Sequence, residues 1–427
     1  MQRIVILGGG TGGTLAANRL RRVLSGSDVR ITVVDQDDRH VYQPGLPFVP
    51  FGLTHPEDIV RPRGRQLHRG IEFVQDAVDH VDLATQQVHF GPGRGVLDYD
   101  VLVVASGATL APDETEGLTG PGWNEKVFTF YEPYSAAALA EALEWFDGGR
   151  LVVNVVEMPI KCPVAPLEFC FLADWYFTQQ GRRDRVDLTF VTPLDGAFTK
   201  PVASHRLSGM LAERGIRLVT EFNTGRVDGE AGRLVSYDDR EVGFDLAVVI
   251  PVHNGAAYVG RSPGLGDALG FVEVDEHTLQ SKVSPHVFAL GDATALPISK
   301  AGSVTHFEGE VLVENIRRFL AGQPLDASYD GHANCFIETG FSKAMLIDFN
   351  YDTEPVPGRF PGLVGLPLLE ESHLNHLGKL MFQWFYWHSL LPGRDIPGIH
   401  SSMPRAGKRL DAMEGPKEHT TREEVPV

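Results

Sequence analysis

The chain reads as an α/β protein built on parallel, doubly wound sheets, and three segments carry that reading. Ile4-Val5-Ile6-Leu7 is a continuous apolar run, the pattern of a strand buried on both faces, and it leads directly into Gly8-Gly9-Gly10-Thr11-Gly12-Gly13. Leu151-Val152-Val153-Asn154-Val155-Val156 is a second such run in mid-chain. Val287-Phe288-Ala289-Leu290 is a third, ending at Gly291-Asp292. Two Rossmann-like dinucleotide-binding domains are expected, followed by a C-terminal region of neither type.

At 427 residues the chain exceeds one ordinary core. A formal net charge of −18 excludes nucleic acid as a general partner, because phosphate binding needs a basic field. The three cysteines, Cys162, Cys170 and Cys335, are too few for a disulfide scaffold and lack zinc spacing, so no metal is expected. No basic n-region precedes the first strand and no apolar run is long enough to span a bilayer. The expected location is therefore the cytoplasm or the cytoplasmic face of a membrane.

The first element pair is the most explicit. After the glycines, Leu15, Leu20 and Leu24 recur at helical spacing through Thr14–Leu24. Gly8 permits the tight turn, Gly10 lets backbone approach a diphosphate, and Gly13 allows close helix–strand packing. The helix N-terminus, with Thr11 and Gly12, then faces the anion. Arg30–Val34 forms a second strand ending at Asp35, placed to accept from an adenosine ribose. A glycine-rich turn alone admits a ligand-free reading. Strand, glycines, helix, strand and terminal acid in that order point to a dinucleotide, without separating FAD from NAD.

Two further segments separate them. Val101 to Ala108 is a buried strand running into Ser106-Gly107, and Val287 to Ala293 ends in Gly291-Asp292. Both resemble signature segments of the disulfide-reductase-like flavoproteins, which carry two dinucleotide-binding domains. The resemblance implies FAD, with Asp292 on its ribityl or diphosphate part. Further contacts are expected at Gly8, Gly10, Thr11, Gly12, Gly13, Asp35, Ala77, Ser106, Gly107, Gly291, Lys300 and Gly302.

The FAD domain is split, comprising 1–112 and 276–325. Residues 113–275 form the second Rossmann-like domain, and 326–427 a C-terminal region whose end, from Gly415, is polar and expected to be disordered. The middle strand leads into Glu157-Met158-Pro159-Ile160-Lys161-Cys162-Pro163-Val164-Ala165-Pro166, where no glycine lets backbone approach a diphosphate. This NAD site is read as degenerate, and NAD(P)H is not expected as donor.

Cys162 precedes Pro166, the expected start of a helix running to about Gln180, and Lys161 adjoins it. That setting favours thiolate, although a small buried residue fits equally well. Cys170 lies in an apolar stretch and reads as core, and Cys335 falls outside any periodicity. Lys161-Cys162-Pro163-Val164-Ala165-Pro166-Leu167-Glu168 resembles the K-C-x-G/x-A-P-x-E segment of the sulfide:quinone oxidoreductases. Asn334-Cys335-Phe336 and Gly291-Asp292-Ala293 with Lys300-Ala301-Gly302 are similar to further segments of that family. The resemblance implies that Cys162 and Cys335 meet at the flavin and cycle through disulfide or persulfide states. By the same resemblance, hydrosulfide is expected to attack the pair and electrons to pass through FAD to a quinone. Glu168 is the candidate for proton handling, or else a solvated acid in a first turn; His205 is weaker. The third cysteine of longer-studied members is absent from Trp123–Tyr134, so FAD is expected to be non-covalent.

From His373 to Pro392, Leu377, Leu380, Met381, Trp384, Trp387 and Leu391 make one apolar stripe. Spacing fits a core helix, a dimer contact or an in-plane membrane helix; the resemblance selects the last, a membrane-associating monotopic region taking quinone from the bilayer. Phe336, Lys379, Phe382 and Phe385 are the quinone candidates, Lys379 being equally readable as a snorkelling surface residue. A homo-oligomer remains open. The rival readings are a type II NADH:quinone dehydrogenase, a flavocytochrome-c-type sulfide dehydrogenase and a non-catalytic flavin redox sensor.

Overall fold

The structure, a computed structural model, describes residues 1–24, 28–394 and 399–413. The polar end from Gly415 lies outside the described residues. The first unit opens with β1 (Gln2–Leu7), α1 (Thr11–Val23), β2 (Val29–Asp35), β3 (Ile71–Gln75) and β4 (Val101–Val104). The second contains β5 (Val127–Phe128), α2 (Pro133–Trp145), β6 (Gly149–Val155), α3 (Ala165–Gln179), β7 (Val186–Val191), α4 (Pro201–Glu213), β8 (Arg217–Val219) and β9 (Leu246–Ile250). The chain then returns with β10 (Val287–Ala289) and α5 (Gly302–Leu320).

Each of these two units holds a five-stranded parallel sheet, in the orders β10-β4-β1-β2-β3 and β5-β9-β6-β7-β8. Cover on both faces explains the unbroken apolar runs: Ile4 to Leu7 and Leu151 to Val153 are buried. In each sheet the central strand, β1 or β6, feeds a helix across a turn, and these two turns build the site.

The second unit ends earlier than expected. Tyr258, Val259, Leu265, Val272 and Val274 pack into the core of the first unit, so the chain re-enters it near residue 256 instead of 276. This segment holds only a four-residue helix and isolated bridges, so its apolar residues show no period that would reveal the crossing.

The C-terminal region is a further sheet with a helix. β11 (Ala333–Gly340) and β12 (Lys343–Phe349) pair antiparallel, and α6 (His373–Phe385) packs on β12 before a π-helical turn at Tyr386–Leu390. Ala333, Ile337, Met345 and Phe349 share one core with Phe169 and Leu172 of α3. Cys335 thus sits in a regular strand, contrary to its sequence reading. Partial cover on both faces of β11 hides the two-residue period there.

Candidate active site

The first turn requires glycine at two places. Gly8 adopts φ +97°, and a Cβ there would lie 2.5 Å from the Ala105 carbonyl oxygen. A Cβ on Gly13 would sit 1.7 Å from the Gly8 oxygen, so α1 and β1 cannot close with any other residue. The Gly9 N–H donates to Asp35 Oδ2 at 2.7 Å, and Arg63 Nη1 lies 3.2 Å from the same oxygen. This turn opens on a cavity of about 720 Å³, within the usual range for ligand pockets.

Gly8, Gly10, Thr11, Gly12, Asp35, Ser106, Gly107, Gly291, Asp292, Lys300 and Gly302 all border this cavity. Added Cβ atoms at Gly10, Gly107 and Gly302 would meet no protein atom within 4 Å, leaving bare backbone on the wall. Two of these glycines mark helix N-termini, of α1 and α5, where exposed N–H groups favour an anion. Lys300, buried, donates from Nζ to the Asp292 and Thr294 carbonyls at 3.0 and 2.8 Å, fixing the Gly291-Asp292 turn. Two expected contacts do not reach the cavity wall. Gly13 lies beneath the turn, and Ala77 is exposed with its N–H on Asp76.

Cys162 and Cys335 border the same cavity, each as a free thiol. The Cys162 N–H donates to the Lys300 carbonyl at 2.6 Å, and its own carbonyl accepts from Ala165 N–H and the Tyr131 hydroxyl. Its φ of +50° is a left-handed conformation that costs a non-glycine residue energy. The expected drift toward thiolate does not occur. Burial, then Cys335 and Glu168, pushes the Cys162 thiol up, and Lys379 offsets this only in part. Desolvation thus outweighs the N-terminus of α3. Burial likewise pushes the Cys335 thiol up to about 12.

Lys379 is an interior residue, not a snorkelling one. It is 8% exposed, its Nζ lies 2.7 Å from Glu168 Oε1, and it donates to the Phe336 carbonyl at 3.3 Å. Burial opposes its charge, but the Glu168 carboxylate, with Cys162 and Glu338 adding to it, outweighs burial and favours the protonated form of Lys379. Glu168 is itself buried, pushed up by desolvation and pulled back by Lys379. It also accepts from the Glu338 N–H at 3.3 Å, its Oε2 has no partner among the described residues, and it stands behind the cavity wall. Phe336, Lys379, Phe382 and Phe385 border the cavity, whereas His205 is exposed on α4 and does not.

A chain of hydrogen bonds invisible in the sequence joins the two ends of the protein. His40 Nδ1 lies 3.2 Å from the Gly9 carbonyl and its Nε2 2.7 Å from the Tyr386 hydroxyl, which lies 2.7 Å from Thr11 Oγ1. A carbonyl only accepts, so His40 carries its proton on Nδ1, Tyr386 donates to Nε2, and Thr11 donates to Tyr386. Burial, with Arg63 adding to it, keeps His40 neutral, its pKa near 3. The π-helical turn that presents Tyr386 also splits the predicted apolar stripe. Leu377, Leu380, Met381 and Trp384 are more than half exposed, while Trp387 and Leu391 are buried.

The description of the pyridine nucleotide-disulphide oxidoreductase family matches residues 2–153. Over 397 residues the chain is 30% identical to the mitochondrial sulfide:quinone oxidoreductase of Dictyostelium discoideum, covering 92% of this chain and 86% of that protein. The chain belongs to the sulfide:quinone oxidoreductase family. It is a flavoprotein oxidoreductase, and the family implies FAD, for which the bare glycine wall and its two helix N-termini provide a fitting cradle. The mitochondrial sulfide:quinone oxidoreductase of Mus musculus is 26% identical over 397 residues, covering 91% of this chain and 86% of that protein. The X-ray structure of the Aquifex aeolicus sulfide:quinone oxidoreductase shares the fold, with a TM-score of 0.78 at 20% identity and 92% of each chain covered. Among the described residues no helix is long and apolar enough to cross a membrane.

Proposed function

We propose that this chain oxidises sulfide to zero-valent sulfur at Cys162 and Cys335 and delivers the electrons to a membrane quinone. The observation that carries this reading is the meeting of the two cysteines on the wall of one cavity whose remaining wall suits a dinucleotide. Gly8, Gly10, Thr11, Gly12, Gly107 and Gly302 would hold the diphosphate of FAD on backbone, with Asp35 at the ribose and Asp292 near the ribityl chain. Bound non-covalently, FAD supplies a two-electron acceptor for sulfur that is reoxidised by quinone.

The residues themselves do the sulfur chemistry. With the pair oxidised, hydrosulfide attacks one sulfur of the Cys162–Cys335 bridge; an S–S bond forms to the incoming sulfur, the bridge breaks, and the other cysteine leaves as thiolate. The incoming hydrosulfide is the attacking group because both cysteine sulfurs are committed to the bridge at this step. Lys379, charged beside Phe336, is placed to donate a hydrogen bond to a quinone oxygen, with Glu168 as its counter-ion. Phe336, Phe382 and Phe385 supply the apolar wall for the ring. The exposed Leu377, Leu380, Met381 and Trp384 suit an in-plane seat at the bilayer surface, with Trp at the interface.

The glycine-free turn after β6 argues against NAD(P)H as donor. Replacing Cys335 with Ser should lower sulfide-dependent turnover roughly a thousandfold or more, since paired groups fail together, while leaving FAD bound. Undiminished turnover in Cys335→Ser would remove the cysteine mechanism.

A further inference from the structure

Behind the quinone candidates lies a second cavity of about 360 Å³, bordered by Tyr42, Phe48, Trp175, Glu338, His376 and Lys379. Lys379 is the wall common to both cavities. On its far side Glu338, 3% exposed, accepts from His376 Nδ1 at 2.9 Å, and His376 is 22% exposed. The same strand residue donates its N–H to Glu168, the partner of Lys379. Four titratable side chains from α3, β11 and α6 are thus strung from the quinone candidates to the surface.

We propose that Glu338 and His376 form a proton-delivery relay that recharges Lys379 during quinone reduction. The inference rests on the quinone reading above. Reducing a quinone to a quinol takes two electrons and two protons. Bound FAD would supply both electrons and one proton, and the second proton would leave the Lys379 ammonium for a quinone oxygen. Neutral Lys379 is then reprotonated from Glu338, and Glu338 from His376, which exchanges with solvent. Glu338, His376 and Lys379 stand on a cavity wall that is otherwise largely apolar, and a cavity of this size has room for the water that spans Lys379 and Glu338.

The charge balance fits that role. Two buried carboxyls, Glu168 and Glu338, share one buried ammonium; burial pushes Glu338 up and neighbouring Glu168 adds to the push, with His376 and Lys379 offsetting it only in part. Such a cluster holds an exchangeable proton instead of a permanent set of charges. The other groups facing it are Tyr42, Cys162 and Cys335 on the inner side. Arg214 is committed at 2.6 Å to both the Thr339 carbonyl and Glu371. Glu338 and His376 act through Lys379 and are positioning residues for proton transfer.

The test uses the FAD-loaded protein, bleached anaerobically with sulfide and then mixed with a soluble short-chain benzoquinone. In Glu338→Gln the return of flavin colour should slow by about a hundredfold and lose its pH dependence, within the range attributed to positioned proton transfer. His376→Ala should slow it too, and free imidazole should restore the rate. Bound FAD, melting temperature and the rate of bleaching by sulfide should stay unchanged in both. Wild-type reoxidation with a wild-type pH profile in either variant, or a slow His376→Ala that imidazole leaves slow, overturns the relay. Should Glu338→Gln fail to fold, the half-buried His376→Ala variant decides alone. If sulfide does not bleach the unsubstituted protein, the underlying reading fails instead, and the two failures are distinguishable.

Discussion

The turns after β1 and after β6 hold the same topological place, each leaving the central strand of a five-stranded parallel sheet for a helix. The first is glycine apart from Thr11, and its bare backbone leaves the room that the proposed reading gives to a diphosphate. The second has no glycine between Val156 and Val164, and presents Cys162 where backbone would otherwise meet phosphate. Both still need a left-handed residue, supplied by Gly8 at φ +97° and by Cys162 at φ +50°. On the proposed reading, one position in a doubly wound sheet serves anion binding or sulfur chemistry, depending on whether its turn offers N–H groups or a side chain.

That contrast can be broken from three directions. The largest stability effect is expected behind the second turn. Lys379→Met leaves Glu168 buried without its cation, a loss of about 3–5 kcal/mol in chemical or thermal unfolding. The loss should shrink as pH falls, because protonating Glu168 removes the unpaired charge. Next, Gly13→Ala forces α1 away from β1 and should cost about 3 kcal/mol, with FAD absorbance lost from the purified protein. The smallest effect sharpens the comparison most. Cys162→Gly should be more stable than Cys162→Ala by about 1 kcal/mol in matched melts, since only glycine relaxes at positive φ, and both should lack sulfide oxidation.

How legible each turn was follows from how local its physics is. The glycine turn and Asp35 were readable because five consecutive features fall within one βαβ unit. The Cys162 segment was equally local, but its protonation was not: a helix N-terminus is visible in sequence, whereas enclosure by Cys335, Glu168 and Lys379 is a tertiary fact. The Lys379–Glu168 pair and the Thr11–Tyr386–His40 chain link distant segments with no shared period, and nothing in the sequence pairs them. The apolar stripe of α6 was correct as far as Trp384. Beyond it the π-helical turn changes the residues per turn, so a 3.6-residue template placed Trp387 and Leu391 on the wrong face.

The most direct test of the central claim is an anaerobic titration of the purified, FAD-loaded protein with sulfide, followed in the visible flavin band. The account predicts that sulfide bleaches the band, a soluble quinone restores it, and NADH does neither. Rapid bleaching by NADH with sulfide inert would contradict it, and would return the turn after β6 to nucleotide binding in spite of its missing glycines.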